Sequence, residues 1–285
     1  MSATLLDGKA IAARVRGEVA DDVATYLAQT GHTPGLATIL VGEDAASAVY
    51  VGGKQKACAE VGIRGFDHRL PADTSREDLL ALIDELNANP DVSGILCQLP
   101  VPQHLDGVEI TNRIAAHKDV DGLTIASAGR LALGMPGLVP CTPAGVMRLL
   151  EEAGVDPQGR EAVIVGRSNL FGKPMAQLLL AANATVTICH SRTADLGEVC
   201  RRADILIAAV GVAHLVKGDW VKPGATVIDV GMNRLPGPPP TLTGDVDFAA
   251  AAEVAAAITP VPGGVGPMTI AYLLRNTLTA ARMSA

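Results

Sequence analysis

The stretch that most limits how this chain can fold runs from Ala162 to Leu180. An apolar, strand-like run stops at Gly166, a short polar loop follows, and an apolar pattern resumes after Gly172. That order predicts a strand, a glycine turn and a helix. Such a turn aims backbone N–H groups and the positive end of the helix dipole at the space beyond the strand, where phosphate groups bind.

The loop departs from the common dinucleotide fingerprint, G-x-G-x-x-G. Ser168 stands at the second glycine position, and the last glycine comes one residue late, at Gly172. By itself, the loop also fits a plain packing turn of an α/β protein. The residues that follow the next strand must decide whether it binds a dinucleotide.

The next predicted strand, Thr185 to Cys189, favours NADP as the cofactor. In NAD-binding folds this strand usually ends in Asp or Glu, which accepts hydrogen bonds from the ribose hydroxyls. Residues 190–193 contain no carboxylate, but they include Ser191 and Arg192. A hydroxyl and a guanidinium suit a 2′-phosphate, and Arg167 in the loop is a second candidate partner for it. The alternative, in which Arg192 merely ends the strand in solvent, stays open at this point.

Composition predicts an α/β protein of more than one domain. The 285 residues are enough for two domains. Apolar residues make up 48% and aromatic residues only 2%, so Ala, Val, Leu and Ile must build the core, as they do where helices cover both faces of a sheet. The net charge of −7 disfavours nucleic acid and anionic membranes as partners. Because there is neither a membrane-spanning apolar run nor an export signal, we expect a soluble cytoplasmic protein.

Neither the histidines nor the cysteines predict a metal site. The six histidines are scattered, and the five cysteines form no C-x-x-C pair. Each cysteine lies in or beside an apolar stretch, which predicts buried free thiols and no disulfide. The cysteines are Cys58, Cys97, Cys141, Cys189 and Cys200.

Strands and helices alternate along the chain, which predicts parallel sheets. The predicted fold class is α/β, with two α/β lobes and a cleft between them, the second lobe being a Rossmann-type doubly wound parallel sheet. We place a first domain at 1–121 and a second at 122–285. The last helix, 269–281, carries an apolar stripe and is expected to pack back on the first lobe. Between 105 and 140 the pattern weakens, and only turns are predicted there.

The individual elements follow from hydrophobic periodicity and from glycine and proline breaks. In the first lobe we predict helices 11–27 and 76–86 and strands 36–41, 66–70 and 94–99. A third helix is predicted to run to about Val61, capped by either Asp44 or Ser47. In the second lobe we predict helices 143–152, 172–182 and 269–281 and strands 162–165, 185–189, 205–210 and 225–230. Residues 235–240 are predicted to form only a proline-rich surface loop, and residues 260–267 to form neither helix nor strand.

A second group of chemically useful residues lies in the first lobe. Tyr50 and Lys54 are four apart on a predicted helix and share a face, whereas Lys56 points elsewhere. The alternative is a half-buried ring beside a solvated lysine. Gly52 and Gly53 lie between them, and each costs about 1 kcal/mol inside a helix against alanine. Either the helix begins later, or something comes close to this backbone.

Polar residues also occur at a strand end and at a turn. Gln98 ends the predicted strand 94–99, at the edge where α/β sheets bind ligands. Asp119 and Asp121 lie on the turn 118–122. An ordinary strand exit and an exposed Asp-Gly turn would explain these residues as well, so both interpretations stay open.

Taken together, these stretches resemble the bifunctional methylenetetrahydrofolate dehydrogenase/methenyltetrahydrofolate cyclohydrolase family over almost the whole chain. Several motifs in one order are more specific than any one of them. The sequence departs from the family pattern at Ala45, where proline is usual, and at Phe171, where valine is usual. The matching motifs are 47–54 (SAVYVGGK), 98–102 (QLPVP), 118–122 (KDVDG), 140–143 (PCTP), 166–168 (GRS) and 260–269 (PVPGGVGPMT).

The resemblance implies an activity, its ligands and the residues that hold them. The activity is NADP-dependent oxidation of 5,10-methylenetetrahydrofolate to 5,10-methenyltetrahydrofolate and hydrolysis of that product to 10-formyltetrahydrofolate. The partners are tetrahydrofolate one-carbon derivatives and a second copy of the chain, in a homodimer. The implied folate and catalytic residues are Tyr50, Lys54, Gln98 and Asp121, with Pro262, Gly263 and Gly264 closing over the substrate. The implied NADP contacts are Gly166, Arg167, Ser168, Ser191 and Met232, to which the reasoning above adds Arg192.

The residues suit that chemistry. Hydride transfer needs mainly positioning, whereas hydrolysis of the resulting cation needs proton movement, for which Lys54 is the well-placed base. The pKa of a lysine, about 10.4 in peptides, must fall for this role, and burial or a substrate cation would lower it. Gln98 is neutral and so does not hold the lysine protonated. Asp121 can accept paired N–H bonds from a pterin ring, and Tyr50 can stack on an aminobenzoate.

Two other functions stay open on the sequence alone. Another two-domain NADP-dependent dehydrogenase, for an oxo or hydroxy acid, should carry a cluster of carboxylate-binding arginines in its first half, and no such cluster stands out. A non-catalytic NADP-sensing protein would not need Lys54, Gln98 and Asp121 on three separate segments.

Overall fold

The computed structural model describes residues 3–42, 45–237 and 240–284, with the backbone alone for 45–50. Within these residues the strands are β1 (Thr4–Leu5), β2 (Gly35–Val41), β3 (Arg64–Leu70), β4 (Gly94–Cys97), β5 (Glu161–Val165), β6 (Thr185–Cys189), β7 (Ile205–Ala208), β8 (Thr226–Asp229), β9 (Asn233–Leu235), β10 (Thr241–Thr243) and β11 (Ala257–Ile258). The helices are α1 (Gly8–Thr30), α2 (Ala45–Glu60), α3 (Arg76–Ala88), α4 (Gly107–Arg113), α5 (Ile125–Ala132), α6 (Cys141–Glu152), α7 (Gly172–Ala181), α8 (Leu196–Cys200), α9 (Phe248–Ala252) and α10 (Val265–Ser284).

The chain divides into two compact units. A six-stranded unit consists of residues 1–12 and 142–269, and a three-stranded unit of residues 13–141 and 270–285. The sequence placed one boundary after Asp121, whereas three boundaries separate these units. The difference arises because the chain's first strand belongs to the larger sheet and most of its last helix to the smaller unit.

The six-stranded unit has the predicted Rossmann-type parallel sheet. The strand order is β1-β11-β8-β7-β5-β6, and every neighbouring pair is parallel. β7 and β8 are buried along their whole length, which explains their runs of Ile, Val, Leu and Ala. Because the strands are parallel, the carboxyl ends of β5, β6, β7 and β8 all lie at one edge of the sheet.

Several elements of this unit were missed or placed differently by sequence analysis. β1 and β11 are two residues each, too short to show periodicity. The stretch predicted as only a surface loop is flanked by β9 and β10, which pair antiparallel as a hairpin. α10 begins at Val265, four residues earlier than predicted, because Pro267 falls in its first turn, where no backbone N–H is required.

The three-stranded unit has the parallel order β3-β2-β4, with β2 fully buried at its centre. α3 begins as predicted, with the hydroxyl of Ser75 accepting from the N–H of Asp78. The region where only turns were predicted contains α4 and α5, capped by Asp106 and Thr124. Both helices are seven or eight residues long, too short for a clear helical period.

The end of α10 packs in the three-stranded unit against α1. The hydroxyl of Tyr26 donates to the carbonyl of Ala281 at 3.3 Å, and Arg275 forms an ion pair with Glu18. All five cysteines are free and buried, as expected. No helix in the described ranges is long and apolar enough to cross a membrane.

Candidate active site

A hydrogen bond in the three-stranded unit joins Lys54 to Gln98. Lys54 lies on α2 and is only 6% exposed, and its Nζ donates to Oε1 of Gln98 at 2.8 Å. Gln98 follows β4, and its own N–H donates to the carbonyl of Ile39 at 2.8 Å, which continues the β2–β4 ladder. Its Nε2 donates to the carbonyl of Leu99 at 2.7 Å. The amide is therefore held with its oxygen towards the lysine.

The electrostatics of this site move Lys54 and Asp121 towards their neutral forms. Burial lowers the pKa of Lys54 below the ordinary lysine value, although the charge of Asp121 acts in the opposite direction. Burial also raises the pKa of Asp121, which Lys54 opposes and the charge of Asp119 reinforces. Lys54 therefore holds its proton less tightly than a surface lysine does, as a proton-accepting role requires.

The turn 118–122 contains two residues that anchor it, Lys118 and Asp119, besides Asp121. Lys118 is buried, and its Nζ donates to the carbonyls of Leu86 and Asn89 at 3.1 and 2.8 Å, at the end of α3. The buried carboxylate of Asp119 accepts from the N–H of Thr124 at 2.8 Å and from the hydroxyl of Ser127 at 2.6 Å. The bonds of Lys118 and those of Asp119 both hold the turn to residues outside it. The turn pattern alone did not distinguish the anchoring Asp119 from Asp121, and only the family resemblance singled out Asp121.

Asn276 is a further residue that sequence analysis missed. It lies on α10, and its buried Nδ2 donates to the carbonyls of Val120 and Val139 at 2.8 Å each. The thiol of Cys141 donates to the same Val120 carbonyl at 3.2 Å. One amide therefore joins the residue before Asp121 to the segment that leads into Cys141. In the sequence, Asn276 stands inside an apolar stripe and gives no signal of its own.

The remaining predicted folate residues are described only in part. The backbone of Tyr50 lies on α2, one turn before Lys54, but its side chain is outside the described residues. Asp44, a candidate cap of this helix, is also outside them. α2 runs through both Gly52 and Gly53, so it does not begin later, and Lys56 is exposed. In the other unit, Pro262 to Gly264 precede α10.

Local contacts hold that loop in the six-stranded unit. The carbonyl of Gly263 accepts from the N–H of Lys9 at 3.1 Å, and the N–H of Gly264 donates to the carbonyl of Pro260 at 2.9 Å. Gly263 has a φ of +109°, which favours glycine. A side chain on Gly8 would collide with the carbonyl of Gly264.

The predicted strand, glycine turn and helix are present as β5, the loop 166–171 and α7. Gly166 has a φ of +135°, and a side chain there would collide with the carbonyl of Ala209. A side chain on Gly172 would collide with the carbonyl of Gly166. Both glycines are therefore required by close backbone packing. Arg167 and Ser168 are exposed, and the Ser168 hydroxyl accepts from the N–H of Phe171 at 3.1 Å.

The other predicted cofactor residues lie at the same edge of this sheet. Ser191 and Arg192 follow β6 and are exposed, in a turn where the N–H of His190 donates to the hydroxyl of Thr193 at 2.9 Å. Met232 follows β8 and is also exposed. Exposed guanidinium and hydroxyl groups beside a helix start, with no carboxylate in 190–193, fit a dinucleotide with a 2′-phosphate.

Two family models match the chain, one for each half. A model described as "Tetrahydrofolate dehydrogenase/cyclohydrolase, catalytic domain" matches residues 6–121. A model described as "Tetrahydrofolate dehydrogenase/cyclohydrolase, NAD(P)-binding domain" matches residues 140–285.

Curated relatives are similar over nearly their whole length. The chain is 63% identical over 284 residues to the bifunctional protein FolD of Dinoroseobacter shibae, covering 98% of this chain and 95% of that protein. It is 60% identical over 285 residues to the bifunctional protein FolD 2 of Frankia alni, covering 100% and 98%.

Solved structures show the same architecture. The methylenetetrahydrofolate dehydrogenase/cyclohydrolase of Campylobacter jejuni superposes with a TM-score of 0.96 at 46% identity and full coverage of both chains. The Trypanosoma brucei enzyme, solved with NADP and an inhibitor, has a TM-score of 0.95 at 40% identity, covering 100% of this chain and 99% of that one. Shikimate 5-dehydrogenase of Thermus thermophilus, at 14% identity and a TM-score of 0.51, shows a related fold alone.

Proposed function

The chain belongs to the tetrahydrofolate dehydrogenase/cyclohydrolase family, and from this premise we propose how its residues divide the work. It is a bifunctional enzyme that oxidises 5,10-methylenetetrahydrofolate with NADP and hydrolyses the methenyl product to 10-formyltetrahydrofolate. The observation that carries this conclusion is the 63% identity to a bifunctional relative across both halves of the chain.

Lys54 is proposed as the proton-transfer residue of the hydrolysis. Water can add to the methenyl cation only if a proton is removed, and ring opening requires a proton to be returned. A buried lysine whose pKa is lowered can accept and return such a proton more readily than a surface lysine can. The bound cation would lower the lysine pKa further, because like charges disfavour the ammonium form.

Gln98, Asp121 and Tyr50 are proposed to position the substrate and tune the lysine. The Gln98 oxygen orients the ammonium through a 2.8 Å hydrogen bond without adding a negative charge beside it. Asp121 stands on a turn that Lys118 and Asp119 anchor, so its carboxyl can meet the N–H groups of a pterin ring at a fixed place. Tyr50, one helical turn from Lys54, is suited to stack on the aminobenzoate ring.

The edge formed by β5, β6 and β8 is proposed to hold NADP. When bound, NADP accepts the hydride from the one-carbon bridge of the folate. Gly166 allows the chain to turn closely before α7, and Arg167, Ser168, Ser191 and Arg192 offer exposed donors for phosphate. Met232 offers an exposed apolar surface at the end of β8. The absence of a carboxylate in residues 190–193 supports NADP over NAD.

We propose that folate binding and catalysis reside mainly in residues 1–121 and NADP binding mainly in residues 122–285, although residues 1–12, 122–141 and 270–285 belong to the opposite unit. The protein is proposed to be a cytoplasmic homodimer. The implied place is one-carbon metabolism, as a supplier for purine, histidine and methionine biosynthesis. Pro262, Gly263 and Gly264 are proposed as further folate-binding residues. The net charge of −7 supports a protein that does not bind nucleic acid or an anionic membrane.

One assay tests the function against its rivals. The purified protein is mixed with NADP and 5,10-methylenetetrahydrofolate, and NADPH and methenyl absorbance are followed together, with added methenyl compound in a second cuvette. NADPH formation with faster-than-spontaneous loss of methenyl absorbance is expected. NADP binding without turnover would favour a sensor, and turnover only of an oxo or hydroxy acid would favour another dehydrogenase.

A further inference from the structure

Two carboxylates are buried in the six-stranded unit without any role in the reaction described above. Asp229 ends β8 and is 4% exposed, and Asp245 follows β10 and is fully buried. Together they lie at the base of the β9–β10 hairpin. Carboxylates are rarely buried unless hydrogen bonds satisfy them, so the bonds of this pair indicate what it is for.

Asp245 holds the chain where it leaves β7. Its Oδ2 accepts from the N–H groups of Val210 and Gly211 at 2.6 and 3.0 Å. Its Oδ1 accepts from Nδ2 of Asn233 at 2.8 Å. One carboxylate therefore joins the exit of β7 to the residue that follows Met232.

Asp229 holds Asp245 and the other side of Met232. Its Oδ1 accepts from the N–H groups of Gly231 and Asp245, and its Oδ2 from the N–H of Val246, all at 2.9 Å. A side chain on Gly231 would collide with the Asp245 carboxylate, and one on Gly244 with the Asp229 carboxylate. Each glycine is therefore required by the close approach of the opposite aspartate.

The order of the strands indicates which part of the cofactor this cluster faces. The order is β8-β7-β5-β6, with the glycine loop after β5 and the candidate 2′-phosphate residues after β6. A dinucleotide whose adenosine end lies at β6 and whose pyrophosphate lies at the β5 loop extends its nicotinamide half towards the ends of β7 and β8. Those ends are Val210–Gly211 and Gly231–Asn233, the two segments that the aspartates hold.

We propose that Asp245, itself held by Asp229, is a positioning residue for the nicotinamide half of NADP, because it fixes Val210 and Gly211 and, through Asn233, Met232. The inference rests on the proposed function, since it assumes that NADP lies along this edge. Asp245 need not touch the cofactor. It acts through backbone groups that would otherwise be free to move with the hairpin.

The test compares Asp245→Asn with Asp204→Asn. Asp204 lies at the opposite, amino-end edge of the same sheet, where it bonds Lys222 and the N–H of Glu161. Asparagine keeps the shape of Asp245 but loses its charge and one of its two acceptor oxygens, so we expect the KM for NADP to rise about tenfold. Hydrolysis of added methenyl compound should remain within about twofold of wild type. Asp204→Asn should leave the KM for NADP unchanged.

Amide hydrogen exchange gives the readout that general destabilisation would not reproduce. In Asp245→Asn the amides of Val210 and Gly211 should exchange faster, whereas those of β5 should keep their protection. Asn233→Ala is a milder change at a partly exposed side chain, and it should give the same exchange pattern with a smaller rise in the KM for NADP. It replaces Asp245→Asn as the test variant if Asp245→Asn does not fold.

An unchanged KM for NADP in both Asp245→Asn and Asn233→Ala, or equal loss of dehydrogenase and hydrolase activity, would overturn the inference. Calorimetric NADP binding to wild type and variants separates this outcome from failure of the proposed function. A wild type that binds NADP without oxidising the folate would refute the function and leave the positioning role testable.

Discussion

The ammonium of Lys54 donates to the amide oxygen of Gln98 across 2.8 Å, in a place where the lysine is only 6% exposed. A buried lysine that faced a carboxylate would stay charged, because the pair would stabilise the ammonium. Gln98 is a neutral amide, so it fixes the direction of the ammonium without adding to the charge of Asp121, which already acts to raise the lysine pKa. Only the hydrolysis should depend on this contact, because hydride transfer needs no protein base and hydrolysis does.

Lys54→Gln should therefore reduce hydrolysis more than oxidation. We expect cyclohydrolase activity to fall about a hundredfold or more, the scale for loss of a positioned acid or base, and dehydrogenase activity to fall less. Methenyl product should accumulate. Paired initial rates for both steps check this, with Lys56→Gln, an exposed lysine on the same helix, as the control that changes little. Equal loss of both activities, or full hydrolysis, would show that another group activates the water.

Gln98→Glu tests the neutral partner directly. A carboxylate at this position would raise the pKa of Lys54 and hold it protonated, so hydrolysis should slow at neutral pH and recover partly as the pH is raised. The measurement is the pH profile of hydrolysis for wild type and variant. A profile that is lower but unshifted would mean that Gln98 acts by shape alone.

Arg167→Ala tests the cofactor edge. Removing an exposed guanidinium from the β5 loop should raise the KM for NADP while leaving hydrolysis of added methenyl compound intact. Arg160→Ala is a matched control, because Arg160 is an exposed arginine at the opposite end of the same strand. Wild type should also use NADP better than NAD. Steady-state rates with both cofactors measure this, and equal use of NAD would contradict the preference.

Asn276→Ala should loosen the turn that carries Asp121. The change removes the Asn276 donor from the carbonyls of Val120 and Val139 and leaves Val120 only the Cys141 thiol, which costs about 2 kcal/mol for buried groups. We expect a lower free energy of unfolding and a higher folate KM, with the KM for NADP unchanged. Thr279→Ala, on the same helix, removes only a bond to the carbonyl of Arg275 and serves as the control. An unchanged folate KM would mean that Asn276 contributes to stability and not to folate binding.

The sequence predicted features that depend on local pattern and missed those that depend on distant backbone. β5, Gly166 and α7 follow one another in the chain, so periodicity and glycine position were sufficient to predict them. The bonds of Asn276 join residues more than 130 positions apart, and no periodicity reports them. Asp229 and Asp245 bind mainly backbone N–H groups, which every residue except proline carries, so their partners leave no mark on the sequence.

The same limit explains the uneven prediction of the active site. Gln98 was placed at the correct sheet edge, but its contact with Lys54 spans 44 residues and needed the fold. The turn 118–122 was located, whereas the anchoring roles of Lys118 and Asp119 within it depend on α3 and α5. α5 was not predicted at all, and without it Asp119 had no visible partner.

The buried aspartate at the end of β8 should make stability depend on pH with an unusual sign. Burial raises the pKa of Asp229 to about 6, against 3.8 in its unperturbed state, so the native state binds its proton more tightly than the unfolded state does. Stability from this group is then greatest at low pH and falls as the pH rises from about 4 to about 6, by about 3 kcal/mol in all.

Comparison of wild type with Asp229→Asn isolates that contribution, because asparagine does not titrate. The difference in the free energy of unfolding, wild type minus variant, should decrease between pH 4 and pH 7, measured by denaturant titration at each pH. Asp204→Asn should show the opposite trend, since Lys222 lowers the pKa of Asp204 and its stabilisation is lost as the pH falls. The difference in the free energy of unfolding between wild type and Asp229→Asn could instead stay flat or rise with pH. Burial would then not raise the pKa of Asp229, because its hydrogen bonds outweigh the cost of taking its charge out of water.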